Sequence, residues 1–321
     1  MQHDAQFDHY GKRLATASSD HTVNVFEVGT DSARKVAELR KHEGPVWQVA
    51  WAHPRFGSVL ASCSYDRRVL VWQEGPQGWR VSHEVREHTR SVNSVAFAPH
   101  EYGLVLASGS SDGTVVVSTW LEGDRWQHDK VDLEAGGVNA VSWAPAIAPM
   151  SLLRAPVATP NAPGAAAAGS AAAPRQFAAA CCDGTIRIVA QDEHTKAWRQ
   201  TAALESGHSD WVRDVAWAPA IGAAVSTLAS CGQDCTVVIW TKAAGADARW
   251  TPRPLSKFDE VVWRVSWSPS GNTLSVACGD NTVSLWRESP DSHEWERVQV
   301  LQEPQAAGAS ASSLSPAAEL K

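Results

Sequence analysis

A short pattern recurs six times along this chain of 321 residues and constrains its fold more than any other feature. In each copy, a run of small and apolar residues ends at an aspartate, and a second apolar run follows it. The aspartates are Asp20, Asp66, Asp112, Asp183, Asp234 and Asp280, at intervals of 46, 46, 71, 51 and 46 residues. A single period is therefore interrupted once by a long insertion.

Each period contains the material for four short strands. In the second copy these are residues 46–54, 60–66, 67–72 and 79–85, which are rich in strand-favouring residues and are separated by turn residues. A repeat of this length that supplies one four-stranded sheet is typical of a propeller blade. The sequence therefore predicts an all-β fold, a six-bladed WD-repeat β-propeller.

The repeat also predicts where the blades begin and end. They span about 1–40, 41–86, 87–134, 135–205, 206–257 and 258–301, so that residues 1–301 form a single domain. In the innermost strand of the second blade, the two-residue period of a β-strand predicts that Trp47, Val49 and Trp51 share one face. Residues 294–301 fill the outermost strand of the sixth blade. No strand is left over to clasp the ring, which either closes by face packing or stays open for a seventh blade from another chain.

Two segments do not belong to the repeat. Residues 145–176 interrupt the fourth blade, and residues 302–321 form a tail, and both are biased toward Ala, Pro, Gly and Ser. Such compositions offer little to pack, so both segments are predicted to be disordered.

Charge and hydropathy narrow the class of protein. The chain has 28 basic and 35 acidic residues, a net charge of -7, and no block of Lys and Arg suggests a direct nucleic-acid ligand. No apolar run approaches the roughly 20 residues that a transmembrane helix needs, and the first ten residues do not resemble a signal peptide. We expect a soluble protein of the cytosol or nucleus.

The six cysteines favour free thiols in a reducing compartment. Cys231 and Cys235 have a CxxxC spacing, but no second pair or histidine cluster accompanies them to complete a zinc site. The sequence predicts neither a metal nor a cofactor.

Two repeats carry a histidine, a serine, an aspartate and a tryptophan at matching positions: His42, Ser62, Asp66 and Trp72, and His208, Ser230, Asp234 and Trp240. A hydrolase needs one exposed Ser-His-Asp set beside an oxyanion hole, whereas this set recurs with the repeat. The positions resemble the structural tetrad of WD-repeat proteins, a buried hydrogen-bond chain from Trp through Ser and His to Asp. We therefore predict a structural role for them and no catalytic residue.

Other repeats carry only parts of this tetrad: Thr16, Asp20, His88, Ser108, Asp112, Asp280 and Trp286. Their blades are expected to rely mainly on apolar packing.

A possible partner-binding rim lies where the chain enters the inner strands: Trp47, Asn93, Asn139, Trp211, Arg213 and Trp263. Trp and Arg are favoured at protein interfaces. The alternative is that these Trp side chains pack on adjacent blades.

Five stretches carry a more specific likeness. Residues 41–72, 91–113, 138–146, 206–222 and 258–286 closely resemble the small WD-repeat subunit of the COPII outer coat, a subunit shared with the nuclear-pore Y-complex. The resemblance runs from His3 to about residue 288. A WD-repeat nucleoporin of similar architecture is a related family.

This resemblance implies an open propeller that accepts a three-stranded blade from an elongated α-solenoid partner, by β-augmentation. Blades one and six would flank the gap. It further implies a non-catalytic scaffold of the vesicle coat in transport from endoplasmic reticulum to Golgi, of the nuclear pore, and of an amino-acid-sensing complex on lysosomal or vacuolar membranes. Such a subunit meets membranes only through its partners. The alternative function is a peptide-reading adaptor, such as a histone-tail or degron receptor.

The chain departs from the family at its start. Family members carry additional residues before the stretch that matches His3, Asp4 and Ala5. We therefore expect the inner strand of the first blade, and its tetrad histidine, to be incomplete.

Overall fold

A computed structural model describes residues 1–30, 32–123, 125–146, 174–205, 207–219, 225–243, 248–292 and 294–302. In these residues the chain forms six antiparallel sheets of four strands each, arranged as the blades of a propeller. The prediction of an all-β, six-bladed propeller is confirmed. Most of the predicted disordered segments, residues 147–173 and 303–321, lie outside the described residues.

Every blade takes four consecutive strands, from the innermost at the channel to the outermost at the periphery. The first three blades are built from β1 (Gln2–Phe7), β2 (Arg13–Ser18), β3 (Thr22–Val28), β4 (Ala33–Arg40), β5 (Val46–Trp51), β6 (Val59–Ser64), β7 (Val69–Gly75), β8 (Gly78–Val85), β9 (Val92–Phe97), β10 (Val105–Ser110), β11 (Thr114–Leu121) and β12 (Arg125–Asp132). The last three are built from β13 (Val138–Trp143), β14 (Gln176–Cys181), β15 (Ile186–Gln191), β16 (Trp198–Leu204), β17 (Val212–Trp217), β18 (Val225–Gly232), β19 (Val237–Ala243), β20 (Thr251–Pro254), β21 (Val262–Trp267), β22 (Thr273–Cys278), β23 (Thr282–Glu288) and β24 (Trp295–Gln302).

The innermost strand of the first blade is as long as its counterparts. Strand β1 has six residues, as do β5, β9, β13, β17 and β21, and it pairs with β2 along its length. The expectation that this strand is incomplete is therefore wrong.

The hydrophobic core is divided among the spaces between neighbouring blades. Between the first and second blades, the buried side chains are Ala15, Ala17, Val23, Val25, Leu39, Val46, Val49, Leu60, Leu70 and Trp72. Each large apolar side chain buried in this way stabilises the fold by about 1.5–3 kcal/mol. Because a blade has a neighbour on both faces, residues of both strand parities are apolar, as the sequence shows.

A β-bulge in the innermost strands alters one prediction. In β5 the pairing with β6 shifts between Val46 and Gln48, which leaves Trp47 without a partner in the ladder. The indole Nε1–H of Trp47 donates to the Ser91 hydroxyl of the third blade at 2.9 Å, whereas Trp51 packs against the first blade. Trp47 therefore does not share a face with Val49 and Trp51, because the extra residue reverses the alternation.

Five interfaces join each of the six blades to the next one along the chain. The innermost strands β5, β9, β13, β17 and β21 each pack on the two innermost strands of the preceding blade. By the same rule β1 would pack on β21 and β22, but within the described part of the chain no comparable packing joins these strands. The propeller therefore has a gap between its sixth and first blades. No helix in the described ranges is both long and apolar enough to span a membrane.

Candidate functional site

The second blade contains the complete predicted tetrad. Trp72 Nε1–H donates to the Ser62 Oγ at 2.8 Å, and this hydroxyl lies 2.8 Å from His42 Nε2. His42 Nδ1 lies 2.9 Å from the Asp66 carboxylate. The distances fit one chain of donors, in which Ser62 donates to Nε2 and the ring donates from Nδ1 to Asp66. These hydrogen bonds join the connection that precedes β5 to the two central strands of the blade, β6 and β7.

The fifth blade repeats this geometry. Trp240 Nε1–H donates to Ser230 at 2.9 Å, and the Ser230 hydroxyl lies 2.8 Å from His208 Nε2. His208 Nδ1 is 3.2 Å from both oxygens of Asp234 and 3.0 Å from the Thr236 hydroxyl. Both sets of predicted residues are thus brought together in the order that the sequence suggests.

The electrostatics of the tetrads keep their aspartates ionised. Burial alone would raise the pKa of Asp66, but the hydrogen bond from His42 and two backbone N–H groups lower it to about 2. The pKa of Asp234 is also lowered, since its hydrogen bonds outweigh burial. Burial lowers the pKa of His208, which is therefore neutral at pH 7. Asp234 therefore acts as a fixed acceptor for the neutral imidazole of His208.

The third blade holds a modified tetrad. His88 Nε2 lies 2.8 Å from Ser108, and His88 Nδ1 lies 3.5 Å from the Asp112 carboxylate. Ser118 stands where the other tetrads have tryptophan, and its hydroxyl lies 2.9 Å from His128 Nδ1 of the outermost strand. A histidine from the outer strand thus supplies the hydrogen-bond partner of the residue that replaces the indole.

The remaining partial tetrads are not hydrogen-bond chains. The Thr16 hydroxyl is buried without a partner in the described residues. Asp20 and Asp280 each accept from the backbone and hydroxyl of the threonine two residues on, which closes a turn. Trp286 Nε1–H donates to Ser284 of its own strand at 2.9 Å. These residues stabilise single turns and strands.

None of these sets is arranged for catalysis or metal binding. The serines Ser62, Ser108 and Ser230 are buried, so no substrate reaches their hydroxyls. Burial raises the pKa of the Cys231 thiol well above its ordinary value, which opposes the thiolate that a metal would need. Across the described ranges, no group of three or more His, Cys, Asp and Glu side chains is placed to hold a metal ion.

The first blade presents an uncovered face to the gap. Phe7 holds in β1 the position that Trp51 holds in β5. Trp51 packs on the preceding blade and donates its Nε1–H to the Gln6 carbonyl at 2.9 Å, whereas the side chain of Phe7 is 57% exposed. Leu14 on the same face is partly exposed, although its counterpart Leu60 is fully buried.

The sixth blade presents the opposite wall of the gap. Val283 and Leu285 hold the positions that Val237 and Ile239 hold in the fifth blade. The fifth-blade pair is buried against the sixth blade, but Val283 and Leu285 are partly exposed, and Leu301 of the outermost strand is 46% exposed. Two apolar blade faces are therefore left without the neighbour that covers the same positions elsewhere in the chain.

One ion pair crosses the gap at its channel end. The Arg264 guanidinium donates to the Asp4 carboxylate, which also accepts the Val49 N–H at 3.1 Å. At the same inner-strand position in other blades, an acceptor side chain binds a backbone N–H of the next blade: Gln48 binds Val95, Ser94 binds Val141 and Asp214 binds Val265. Arg264 instead places a donor at this position, so the sixth blade contacts the first through the ion pair between Arg264 and Asp4.

Five of the six predicted rim residues belong to a ring around one mouth of the channel, which we call the bulge ring. Its members are the unpaired bulge residues of the six innermost strands: His3, Trp47, Asn93, Asn139, Arg213 and Trp263. The Asn93 amide donates to the Val138 carbonyl at 2.9 Å and the Asn139 amide to the Val212 carbonyl at 2.8 Å. Trp47, Asn93 and Asn139 therefore connect neighbouring blades, and for Trp47 this agrees with the alternative interpretation.

The remaining predicted rim residues form an exposed cluster. The Arg213 guanidinium lies 5.0 Å from the Trp211 ring and 4.8 Å from the Trp263 ring, within the range of cation–π attraction. Gln233 Oε1 accepts from Arg213 Nε at 2.9 Å and orients the guanidinium. About half of each indole is exposed, so this cluster offers a large aromatic surface where the fifth and sixth blades meet.

A basic cavity that was not predicted from the sequence lies on the same side of the propeller. Arg67 and Arg68 in the β6–β7 turn meet Arg86 and Arg90, which precede β9, around a cavity of about 870 Å³ that Tyr65 also lines. We call it the arginine pocket. The adjacent Arg67 and Arg68 were the available signal, but the other two arginines join them only through the packing of two blades.

Comparisons with known proteins agree with the fold. The family model described as "WD domain, G-beta repeat" matches residues 33–73, 79–117, 199–241 and 253–287. The chain is 55% identical to the "Protein SEC13 homolog" of Homo sapiens over 293 residues, which cover 91% of this chain and 87% of that protein. It is 45% identical to the "Protein transport protein sec13" of Emericella nidulans over 311 residues, 94% of this chain and 96% of the relative. A "Protein transport protein SEC13" of Mycosarcoma maydis is 46% identical over 339 aligned positions.

Proposed function

From the premise that this chain belongs to the SEC13 family of WD40-repeat proteins, we propose that it is a non-catalytic scaffold subunit in protein transport. Its task is to bind an elongated α-solenoid partner that inserts a β-blade into the gap. The observation that carries this proposal is the pair of uncovered blade faces, with Phe7 on one wall and Leu285 and Leu301 on the other.

The energetics of the gap favour an inserted partner. Apolar area that a seventh blade removes from water contributes about 25 cal/mol per Å². The strands of a donated three-stranded blade also pair with one another, so the blade adds apolar contact without burying unpaired polar groups. The Asp4–Arg264 ion pair holds the channel end of the gap together, which leaves the outer part of both faces for the partner.

The family resemblance gives the proposal its cellular setting. We place the protein in the COPII outer vesicle coat, on the cytoplasmic side of the endoplasmic-reticulum membrane, and in the Y-complex of the nuclear pore. One gap serves both assemblies if each contains a solenoid that donates a blade. The protein contacts membranes through these partners.

The alternative of a peptide-reading adaptor rests on the cluster of Arg213 with Trp211 and Trp263. The channel mouth gives this alternative less support. The side-chain amides of Asn93 and Asn139 in the bulge ring already donate hydrogen bonds to neighbouring blades. The uncovered faces have no such internal use. They therefore favour the scaffold function.

The test is to recover the full chain from cell extract and to identify its stoichiometric partners by mass spectrometry. We expect an α-solenoid protein to dominate. Phe7→Asp and Leu301→Asp place a charge on the two walls of the gap and should abolish recovery of this partner. Leu121→Asp is the matched control, because Leu121 is an exposed leucine at the end of β11, away from the gap.

Two results would contradict the proposal. One is a purified chain that is a stable monomer and recovers no solenoid protein from the extract. The other is a partner that binds the wild-type chain and both gap variants equally, since it would then bind elsewhere on the propeller.

A further inference from the structure

The arginine pocket brings four arginines together around one cavity, in a chain of net charge -7. Its walls come from two blades, with Arg67 and Arg68 in the β6–β7 turn and Arg86 and Arg90 in the connection from β8 to β9. The cavity opens on the side of the propeller that carries the bulge ring, since Ser91 both lines it and accepts the indole N–H of Trp47.

Half of this charge is already neutralised. Arg68 forms an ion pair with Glu43 at 2.8 Å and lies 3.4 Å from Glu84. Arg86 forms an ion pair with the same Glu84 at 3.0 Å. Two arginines are therefore matched by two glutamates.

The other half is unmatched. Arg67 and Arg90 are exposed, and neither side chain forms an ion pair or hydrogen bond with the described residues. The Asp66 carboxylate in the wall does not neutralise them, because it accepts from His42 and from the backbone N–H groups of Glu43 and Arg68. Two guanidinium groups thus face the cavity with their donors free.

We propose that the arginine pocket binds an acidic segment of a partner protein, with Arg67 and Arg90 each holding a carboxylate or phosphate group. A guanidinium presents its N–H donors in a fork that matches both oxyanions. Tyr65, 62% exposed at the edge of the cavity, adds an aromatic surface for a neighbouring side chain of that segment. This site is separate from the gap and does not depend on blade donation.

The shape of the site favours a peptide over a nucleic acid. A nucleic-acid backbone is tracked by positive charge along an extended stripe, with many phosphate contacts. Here the unmatched charge is confined to two arginines in one concave cavity, and Glu43 and Glu84 lie beside them. The glutamates would repel further phosphates of a continuous backbone, whereas a peptide can place single acidic side chains between them.

Fluorescence anisotropy of the full chain tests the proposal with defined probes. These are a labelled peptide of alternating glutamate and serine, the same peptide with glutamine for glutamate, the same peptide with phosphoserine for glutamate, and labelled oligothymidylate. We expect the glutamate or the phosphoserine peptide to bind, the tighter one identifying the natural oxyanion, and the glutamine peptide to fail. Binding should weaken as salt concentration rises.

The double variant Arg67→Ala and Arg90→Ala should weaken binding at least about tenfold, since it removes two charge-assisted contacts. Arg67→Lys with Arg90→Lys should bind with intermediate affinity, because lysine keeps the charge without the fork. Arg125→Ala with Arg199→Ala is the control and should bind as wild type, because these exposed arginines lie on outer strands.

Three outcomes would overturn the proposal. The acidic peptides fail to bind, or they bind the Arg67→Ala and Arg90→Ala variant as tightly as the wild type, or oligothymidylate binds more tightly than either peptide with the same dependence on Arg67 and Arg90. The thermal unfolding midpoint of each variant checks that the fold is retained, as expected for exposed side chains.

Discussion

Asp4 of the first blade and Arg264 of the sixth form the ion pair that joins the two ends of the propeller. The Asp4 carboxylate is almost fully buried and also accepts a backbone N–H from the second blade, so one side chain connects three blades. The charge of Arg264 also opposes the rise that burial causes in the pKa of Asp214. Arg264 therefore compensates two carboxylates at the centre of the ring.

Replacing Arg264 with Met should destabilise the fold by about 1–3 kcal/mol, because it leaves the buried Asp4 carboxylate without its cation. Adding Asp4→Asn to that variant should recover part of the loss, since the amide oxygen still accepts the Val49 N–H without a charge. Urea unfolding of the two single variants and the double variant measures this. Equal stability of Arg264→Met and the double variant would show that the charges are not coupled.

Asp66→Asn should lower the free energy of unfolding at neutral pH by about 2 kcal/mol, the amount that corresponds to a pKa lowered from 3.8 to about 2. Because the folded chain holds this carboxylate more acidic than the unfolded chain does, its contribution is complete above about pH 4. It is lost as the pH falls toward 2. The difference between the variant and wild type should vanish over that range in denaturant titrations, with Asp259→Asn, at an exposed position, as the control for the loss of a carboxylate.

The paired histidines of the second and third blades predict a second pH effect. His83 Nε2 lies 3.2 Å from His128 Nε2, and burial, followed by the charge of His128, lowers the pKa of His83 to about 4. Below pH 6.5, the ordinary pKa of histidine, His83 is therefore protonated in the unfolded chain while it stays neutral in the folded chain down to about pH 4. Stability should be complete above pH 6.5 and should decline as the pH falls to 4. His83→Gln should flatten this part of the stability curve, and an unchanged slope would count against the lowered pKa.

Gly207→Ala should destabilise the fifth blade by about 1–3 kcal/mol, as overpacking does elsewhere. A Cβ atom at residue 207 would overlap the Trp240 ring, which the tetrad holds in place. Gly136→Ala is the control, because a Cβ there meets nothing within 4 Å. Thermal unfolding of the two variants should differ by several degrees in midpoint, and equal midpoints would mean that the Trp240 indole moves freely.

The tetrads show how far the sequence predicts the structure. His42, Ser62, Asp66 and Trp72 recur at fixed offsets, which place Ser62 and Trp72 on the two central strands of the blade and His42 and Asp66 in the connections beside them. Periodicity thus predicts a structural role for these residues, and the resemblance to WD-repeat proteins predicts their hydrogen-bond chain. The partner of Ser118 was not predictable, because His128 lies on an outer strand whose register depends on a turn of variable length.

The bulges and the arginine pocket lie beyond such reasoning for different reasons. A bulge adds one residue without changing the apolar pattern around it. The sequence therefore predicts that Trp47 shares a face with Val49, and only the strand pairing shows that it does not. The pocket depends on the angle at which the second and third blades pack, which brings Arg67 toward Arg90. Neither a local sequence pattern nor a count of charged residues predicts that packing angle.

In an ordinary β-strand, the identity of a side chain and the register of the strand depend on each other, but in the bulge ring they are separate. A bulge residue takes no part in the pairing of its strand, so its side chain can be exchanged without altering the register that buries the rest of the blade. The mouth of the channel thus carries six positions, one for each blade, that lie outside the strand ladders, and at Trp47, Asn93 and Asn139 the side chains also connect neighbouring blades. Histidine, tryptophan, asparagine and arginine already share this geometry in one chain. A substitution at one of these positions therefore changes the surface of the channel mouth at a single blade and leaves the strand pairing beneath it in register.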